Sequence, residues 1–226
     1  MRKIANAALL AATLIASHVW ALDLSGVSQG EASAGLKETL TRASSAAVSR
    51  LGATDGFLNS PKVHIPLPDG LKQAKSAMKL LGKGDEFDKL EVSLNRAAEA
   101  AMPEAKQLLI DAVKGMSVQD AKGILAGGDD AVTQFFRGKT EGSLSKKFLP
   151  VVKNATDRVG LARQYNKLAG QAASFGVIKS EDDKIENYVT RKALDGLFLT
   201  LAEEERAIRQ DPVGTGSALL KKLFSN

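Results

Sequence analysis

Apolar residues recur at steps of three and four along almost the whole chain, and this spacing limits the possible folds more than any other feature. In an α-helix, residues three and four positions apart share one face, so each such run predicts a helix with one buried stripe. The runs cover residues 28–52, 69–81, 85–114, 143–175 and 181–201. Since no strand-rich block, long linker or internal repeat interrupts them, the sequence predicts an all-α fold, a single multi-helix bundle.

One segment, residues 53–68, cannot be a continuous helix because it contains Pro61, Pro66 and Pro68. Proline lacks a backbone N–H group and pushes the preceding residue toward an extended conformation. Between these prolines three apolar residues alternate with polar ones or proline: Val63, Ile65 and Leu67. The pattern predicts a short extended arm that packs along the bundle by its apolar side.

Four further features refine the bundle. Pro103 and Pro150 each predict a kink or a break, and Pro103 also suits the first turn of a new helix. The helix around residues 194–201 is apolar on nearly every side, which is typical of a central helix. The charge run that follows, residues 203–206, is predicted to be a solvated face, and residues 217–224 an amphipathic tail that packs on the bundle.

The N-terminus has the parts of a cleavable export signal. Arg2 and Lys3 precede an apolar run over residues 4–16, and the small side chains of Val19 and Ala21 suit the −3 and −1 positions of a cleavage site. The run is shorter than the roughly 20 residues that a membrane-spanning helix needs. We therefore expect cleavage after Ala21, a periplasmic location, and one all-helical domain over residues 22–226.

Composition excludes several kinds of chemistry. The chain has no cysteine and two histidines, of which His18 lies in the predicted signal, so any histidine-dependent site of the mature protein must use His64. Multi-histidine metal centres and thiolate sites are excluded. Without Arg2 and Lys3 the mature chain has 29 basic and 26 acidic residues, and this mild excess gives no reason to expect a nucleic-acid partner.

The densest motif covers residues 116–138. Ser117 and Asp120 have the spacing of a capping box, Gly127 and Gly128 are expected to end that helix in the left-handed conformation, and an aspartate pair follows. One interpretation makes three acids a carboxylate cluster for a divalent cation or for acid–base catalysis: Asp120, Asp129 and Asp130. The other makes them helix caps, with Asp129 capping the next helix, and the sequence favours it because metal-ligand spacing is missing. No cofactor is expected unless a divalent cation binds here.

The most concentrated positive charge lies at the arm and on the helix after it. The residues are Lys62, Lys72, Lys75, Lys79 and Lys83, with His64 beside the first of them. Such a stripe suits anionic membrane head groups, an acidic envelope polymer or an acidic protein, and a solvated helix face is the alternative. For His64 the two interpretations are a proton shuttle or ligand contact and a hydrogen-bonded loop side chain.

Several stretches together resemble one bacterial family. They are residues 57–58, 61–63 and 65–68, the run NRAAEAA at 95–101, the run MSVQDAKGIL at 116–125 with GGDDA at 127–131, ALDGLF at 193–198 and DPVG at 211–214. On these residues the chain resembles the domain of unknown function 4197 family. The resemblance implies an exported, mostly helical bacterial envelope protein and carries over no catalytic residue.

The sequence therefore leaves three hypotheses for the function. The leading hypothesis is a non-catalytic envelope protein that binds a protein partner or an apolar or anionic small ligand. The first alternative is a carboxylate- or metal-dependent enzyme that uses the three aspartates. The second alternative is an electrostatic binder of the envelope surface that uses the lysine stripe.

Overall fold

A computed structural model describes residues 29–210, apart from positions 81, 83, 129, 159, 161, 162, 164, 166, 169 and 171–183. Within these ranges the chain forms seven helices and no strand, which confirms the all-α bundle. The helices are α1 (Gln29–Gly52), α2 (Asp69–Lys79), α3 (Gly84–Ala101), α4 (Pro103–Lys114), α5 (Val118–Ala126), α6 (Ala131–Arg158) and α7 (Ile185–Gln210). The predicted signal at 1–21, the break at Asp211 and the tail at 217–224 lie outside the described residues.

The helices share one hydrophobic core. Its largest fully buried side chains are five phenylalanines, from the arm, α3, α6 and α7: Phe57, Phe87, Phe136, Phe148 and Phe198. Burying one such ring contributes about 1.5–3 kcal/mol. α7 contacts α1, α3 and α6, as expected of a central helix. Among the described helices, none has the length and apolar character that crossing a membrane requires.

The arm over residues 53–68 is non-helical and packs by its apolar side, as predicted. Val63, Ile65 and Leu67 are all buried, with exposed fractions of 8 %, 1 % and 0 %. Of the two prolines expected to interrupt helices, Pro103 opens α4, directly after α3 ends. α6 instead continues through Pro150 as far as Arg158.

Gly127 does not end α5 in the left-handed conformation, so that prediction is wrong. Gly127 has φ −81° and ψ 171°, which is extended rather than left-handed. Glycine is required there by space, because a Cβ atom would lie 2.5 Å from the Cβ of Ala131 and 2.8 Å from the carbonyl oxygen of Gly123. The turn from α5 into α6 is therefore set by close contact across the corner.

The charge run of α7 is not a solvated face, which corrects the prediction for residues 203–206. Glu205 is 3 % exposed, and its carboxylate accepts hydrogen bonds from the backbone N–H groups of Val132 (3.1 Å) and Thr133 (3.2 Å) in the first turn of α6. The first N–H groups of a helix have no partner within that helix, so a carboxylate from elsewhere can cap them. Glu205 therefore joins two helices.

The neighbouring acids of the run also bind other elements. Glu203 accepts from Lys62 of the arm at 2.5 Å, and Glu204 pairs with Arg50 of α1. All three glutamates of the run thus connect α7 to parts of the chain distant in sequence. Periodicity could not show this, because a charged face looks the same whether it meets water or another element.

α7 and the arm meet at Gly196. A Cβ atom at this position would lie 2.7 Å from Cε1 of Phe57 and 3.2 Å from the Cβ of Val63. Phe57 is fully buried, so its ring has no free space into which it can move. The absence of a side chain at Gly196 therefore lets the helix approach the arm.

We predict that Gly196→Ala lowers the free energy of unfolding by about 1–3 kcal/mol, because the added methyl group overpacks the contact with Phe57. The matched control is Gly138→Ala on α6, where a Cβ atom meets nothing within 4 Å. That change should stabilise the protein by roughly 0.5–1 kcal/mol through helix propensity. Urea denaturation followed by circular dichroism measures both, and stabilisation by both changes would contradict the proposed contact.

Candidate functional site

A polar stripe runs along α3 beside its buried face. Asp88, Glu91, Asn95 and Glu99 follow one another at steps of three, four and four, so they share one side of the helix. Three of the four, all except Asp88, bind the arm, and we call the set the α3 polar stripe. Through Glu91 it also contacts His64.

Asn95 is fully buried, and its side-chain amide binds both the N–H group and the carbonyl group of Ile65. Its Oδ1 accepts from the Ile65 N–H at 2.8 Å, and its Nδ2 donates to the Ile65 carbonyl at 2.9 Å and to the Glu91 carbonyl at 2.8 Å. The side-chain amide thus gives the arm the pair of hydrogen bonds that a neighbouring strand would otherwise give. Its role is to hold the arm on α3.

Glu99 is 5 % exposed and binds the start of the arm. Its Oε1 accepts from the N–H groups of Phe57 (3.1 Å) and Leu58 (3.2 Å), and its Oε2 accepts from Arg96 (2.7 Å). Arg96 also donates to Asp55 at 2.6 Å, and these two carboxylates, Glu99 first, raise the pKa of the guanidinium. A buried carboxylate with this many donors serves as an anchor.

His64, the one histidine beyond the predicted signal, has both ring nitrogens engaged. Nδ1 lies 2.8 Å from the Leu58 carbonyl, to which it donates, and Nε2 lies 2.8 Å from Oε1 of Glu91. The other oxygen of Glu91 accepts from Lys75 at 3.3 Å, and Lys75 also pairs with Asp88 at 2.5 Å. Both contacts hold His64 as a hydrogen-bonded side chain of the arm.

The lysine stripe does not form one uniform surface. Lys62 binds Glu203 on α7, and Lys75 binds the α3 polar stripe, where Asp88, followed by Glu91, raises the pKa of its ammonium group. Lys72 lies 3.4 Å from the exposed Asp69. Lys79 is exposed at the end of α2, and Lys83 lies outside the described residues. Two of the four described lysines thus have acidic partners on other helices.

The two described aspartates of residues 116–138 are likewise bound locally. Ser117 and Asp120 form the predicted capping box, and the backbone N–H and hydroxyl of Ser117 lower the pKa of the Asp120 carboxyl. Asp130 accepts from Gln134 at 2.7 Å, and Asp129 lies outside the described residues. In the part of the chain that the structure describes, no three His, Asp or Glu side chains group as metal ligands would.

A cleft of about 280 Å³ opens between α4 and α6. Its lining residues are Leu108, Asp111, Ala112 and Gly115 at the end of α4, and Phe135, Lys139, Thr140 and Ser143 in α6. We call it the α4–α6 cleft. Three of these residues are apolar, partly buried and packed against the core: Leu108, Ala112 and Phe135. The cleft therefore has an apolar part that is packed against the interior of the bundle.

Polar groups also line the cleft or lie next to it. The Lys139 ammonium lies 3.9 Å from a carboxylate oxygen of Asp120 and 5.9 Å from the centre of the Phe135 ring. Asp111 accepts a hydrogen bond from Gln107 at 2.7 Å. The Thr140 hydroxyl donates to the Phe136 carbonyl at 2.6 Å, so its oxygen remains available as an acceptor.

Neither the α3 polar stripe nor the cleft was predicted from the sequence. The stripe could have been recognised in the sequence, since its four polar residues keep helical spacing. Each lies one position after an apolar residue: Phe87, Leu90, Leu94 and Ala98. The cleft had none, because its residues belong to ordinary helical runs and meet only when α4 packs on α6. Of the residues predicted for a site, the structure brings His64 and Lys75 together on Glu91.

Comparison with known proteins gives a match to a protein family. A family model described as "Protein of unknown function (DUF4197)" matches residues 26–225, nearly the whole chain. Neither a curated protein nor a solved structure matches.

We predict that Asn95→Ala lowers the free energy of unfolding by about 2–4 kcal/mol, because it leaves the buried N–H and carbonyl groups of Ile65 without partners. Asn154→Ala is the matched control, since Asn154 is exposed on α6. That change should stay within about 0.5 kcal/mol. Chemical denaturation of both variants tests the arm contact, which is refuted if the two changes have the same effect.

Proposed function

The chain belongs to the DUF4197 family, and we propose that it is an exported, non-catalytic helical protein that binds a small apolar ligand in the α4–α6 cleft. The shape and lining of that cleft carry the proposal. Ligand sites in proteins are concave and mostly apolar, with a few polar groups that orient the ligand. The cleft fits this description, since it is lined by the apolar residues Leu108, Ala112 and Phe135 and by the charged residues Asp111 and Lys139.

The size of the cleft favours a small molecule over a protein partner. Its lining residues extend from Leu108 to Gly115 and from Phe135 to Ser143, about 11–12 Å along each helix. A stable protein interface buries about 800 Å² on each partner, far more than two helical turns present. The volume of about 280 Å³ is close to the lower end, roughly 300 Å³, of ordinary ligand pockets.

The use of the ionisable groups supports a binding role rather than catalysis. Nucleophilic or acid–base catalysis requires a nucleophile or base whose bonds are free to change during the reaction. Glu99 and Glu205 instead accept backbone N–H groups, and both ring nitrogens of His64 hold the arm. These are contacts that stabilise the fold.

Export is the second half of the proposal, and it is supported by the N-terminal pattern of residues 1–21. When the full chain is produced with a C-terminal tag in a bacterium with two membranes, we expect a periplasmic product that begins at Leu22. Mass spectrometry of the intact protein measures this. Ala21→Phe should block the cleavage because a large side chain does not suit the −1 position, whereas Leu24→Phe should leave it unchanged. A product that begins at Met1 in the cytoplasmic fraction would refute export.

The cleft is tested with dansylamide, a neutral apolar probe whose fluorescence rises on transfer from water. We expect saturable binding to the protein, and we expect Ser143→Phe to raise Kd at least about tenfold because the ring fills part of the cleft. Ser145→Phe is the matched control, since both serines are exposed on α6 but only Ser143 lines the cleft. If both variants bind like the unaltered chain, or if no saturable binding occurs, the proposed site is wrong.

A further inference from the structure

We propose that the arm is held on α3 by a protonated histidine, which makes its attachment pH-sensitive, so that one contact weakens as the pH rises. The contact joins the His64 ring of the arm to the Glu91 carboxylate of α3. Neither residue lines the α4–α6 cleft, so the proposal goes beyond the proposed function and does not depend on a ligand there.

The two partners of the His64 ring are both oxygens that accept hydrogen bonds. Nδ1 lies 2.8 Å from the Leu58 carbonyl oxygen, and Nε2 lies 2.8 Å from Oε1 of Glu91. A backbone carbonyl has no hydrogen to donate, and neither has an ionised carboxylate. A neutral imidazole carries one N–H group, so it can donate to only one of these oxygens and turns a lone pair toward the other. The imidazolium ion donates to both, so the two distances fit the protonated ring.

The same distances would also suit a neutral ring beside a protonated Glu91, and Lys75 decides between the two arrangements. Its ammonium group lies 3.3 Å from Oε2 of Glu91. A positive charge this close favours the ionised form of a carboxyl group. Asp88, and after it Glu91, raise the pKa of the Lys75 ammonium group, so its charge persists across the range in which histidine titrates. The proton therefore lies on the ring.

The other charged and titratable groups on the elements around the arm are bonded elsewhere. Lys75 of α2 pairs with Asp88 of α3 at 2.5 Å as well as with Glu91. Three further contacts engage groups of the arm, α3 and α7: Lys62 with Glu203, Arg96 with Asp55 and Glu99, and the Tyr188 hydroxyl with the Pro66 carbonyl. Of the charged groups in the described ranges, Glu91 is the one bonded to the ring, so the proton on His64 is coupled mainly to Glu91.

The sign of the pH dependence follows from the place of the proton. Below the range in which histidine titrates, the folded protein has both hydrogen bonds of the ring. As the pH rises through that range, the ring loses its proton and with it one of the two bonds. The unfolded chain has neither contact, so only the folded state is weakened by the deprotonation. The free energy of unfolding therefore falls, and the arm loses one of its attachments to α3.

Urea denaturation at about pH 5.5 and about pH 8.5, on either side of the range in which histidine titrates, tests the contact on protein produced without a histidine tag. The measured quantity is the ratio of the unfolding equilibrium constants at the higher and the lower pH. We expect this ratio to be about three- to fivefold larger in the unaltered chain than in Glu91→Gln. The effect is modest because the side chains of His64 and Glu91 are 32 % and 22 % exposed to water.

Glu91→Gln removes the pH dependence because an amide can donate to a neutral ring and can accept from a protonated one. The matched control is Glu104→Gln, an exposed acid on α4, which should keep the ratio of the unaltered chain. His64→Gln serves as a second variant in case Glu91→Gln disturbs the fold. It removes the titrating ring and should lower the ratio by the same factor.

Hydrogen exchange reports on the arm itself. The N–H group of Ile65 follows His64 directly and binds Asn95, so its protection factor should fall between the lower and the higher pH. This fall should be absent in Glu91→Gln and in His64→Gln. The proposal is wrong if the unaltered chain has the same ratio as His64→Gln. If His64→Gln lowers the ratio but Glu91→Gln, correctly folded, keeps it, then Glu91 is not the partner and the proposed contact is wrong.

Discussion

A segment that is buried but not helical must find a partner for each of its backbone polar groups, and the arm of this protein imposes that requirement on the rest of the fold. Asn95 and Glu99 provide those partners from α3, and the Tyr188 hydroxyl of α7 donates to the Pro66 carbonyl at 2.9 Å. The positions of α3 and α7 around the arm follow from these bonds. The bundle is held together by polar contacts at the arm as well as by apolar packing.

Among the described carboxylates, two buried glutamates differ in role from the aspartate at the cleft. Glu99 and Glu205 are buried, each accepts two backbone N–H groups, and each binds an element distant in sequence. Asp111 lies on an exposed helix face and is bound only by a neutral amide within the described residues. The two glutamates explain why ionisable residues alone were a poor guide to function, since the most deeply buried acids are structural.

Local pattern predicted much of the fold. Steps of three and four located α1 to within a residue of its start, Pro103 marked the start of α4, and the alternation in the arm identified Val63 and its apolar neighbours as buried. Periodicity shows which face of a helix is apolar, and proline shows where the backbone has no N–H group to donate a hydrogen bond. Both signals depend only on neighbours in sequence, so they can be read without knowledge of the tertiary structure.

What the pattern could not predict depends on distant parts of the chain. Glu205 looks like any solvated acid until its partners, 73 residues away, are known. Gly127 was assigned a left-handed turn because glycine commonly ends helices that way, whereas the cause is contact with Ala131. The cleft is a space between two helices, and its depth depends on how their side chains pack.

The cap that Glu205 places on α6 also determines the order in which the structure can be completed as the chain is synthesised. The N–H groups of Val132 and Thr133 leave the ribosome long before their acceptor does, since α7 follows α6 in the sequence. Until α7 is made, the first turn of α6 lacks these two bonds. The N-terminal end of α6 therefore gains these bonds only when nearly all of the chain has been translated. A chain truncated before Glu205 would lack this contact between α6 and α7.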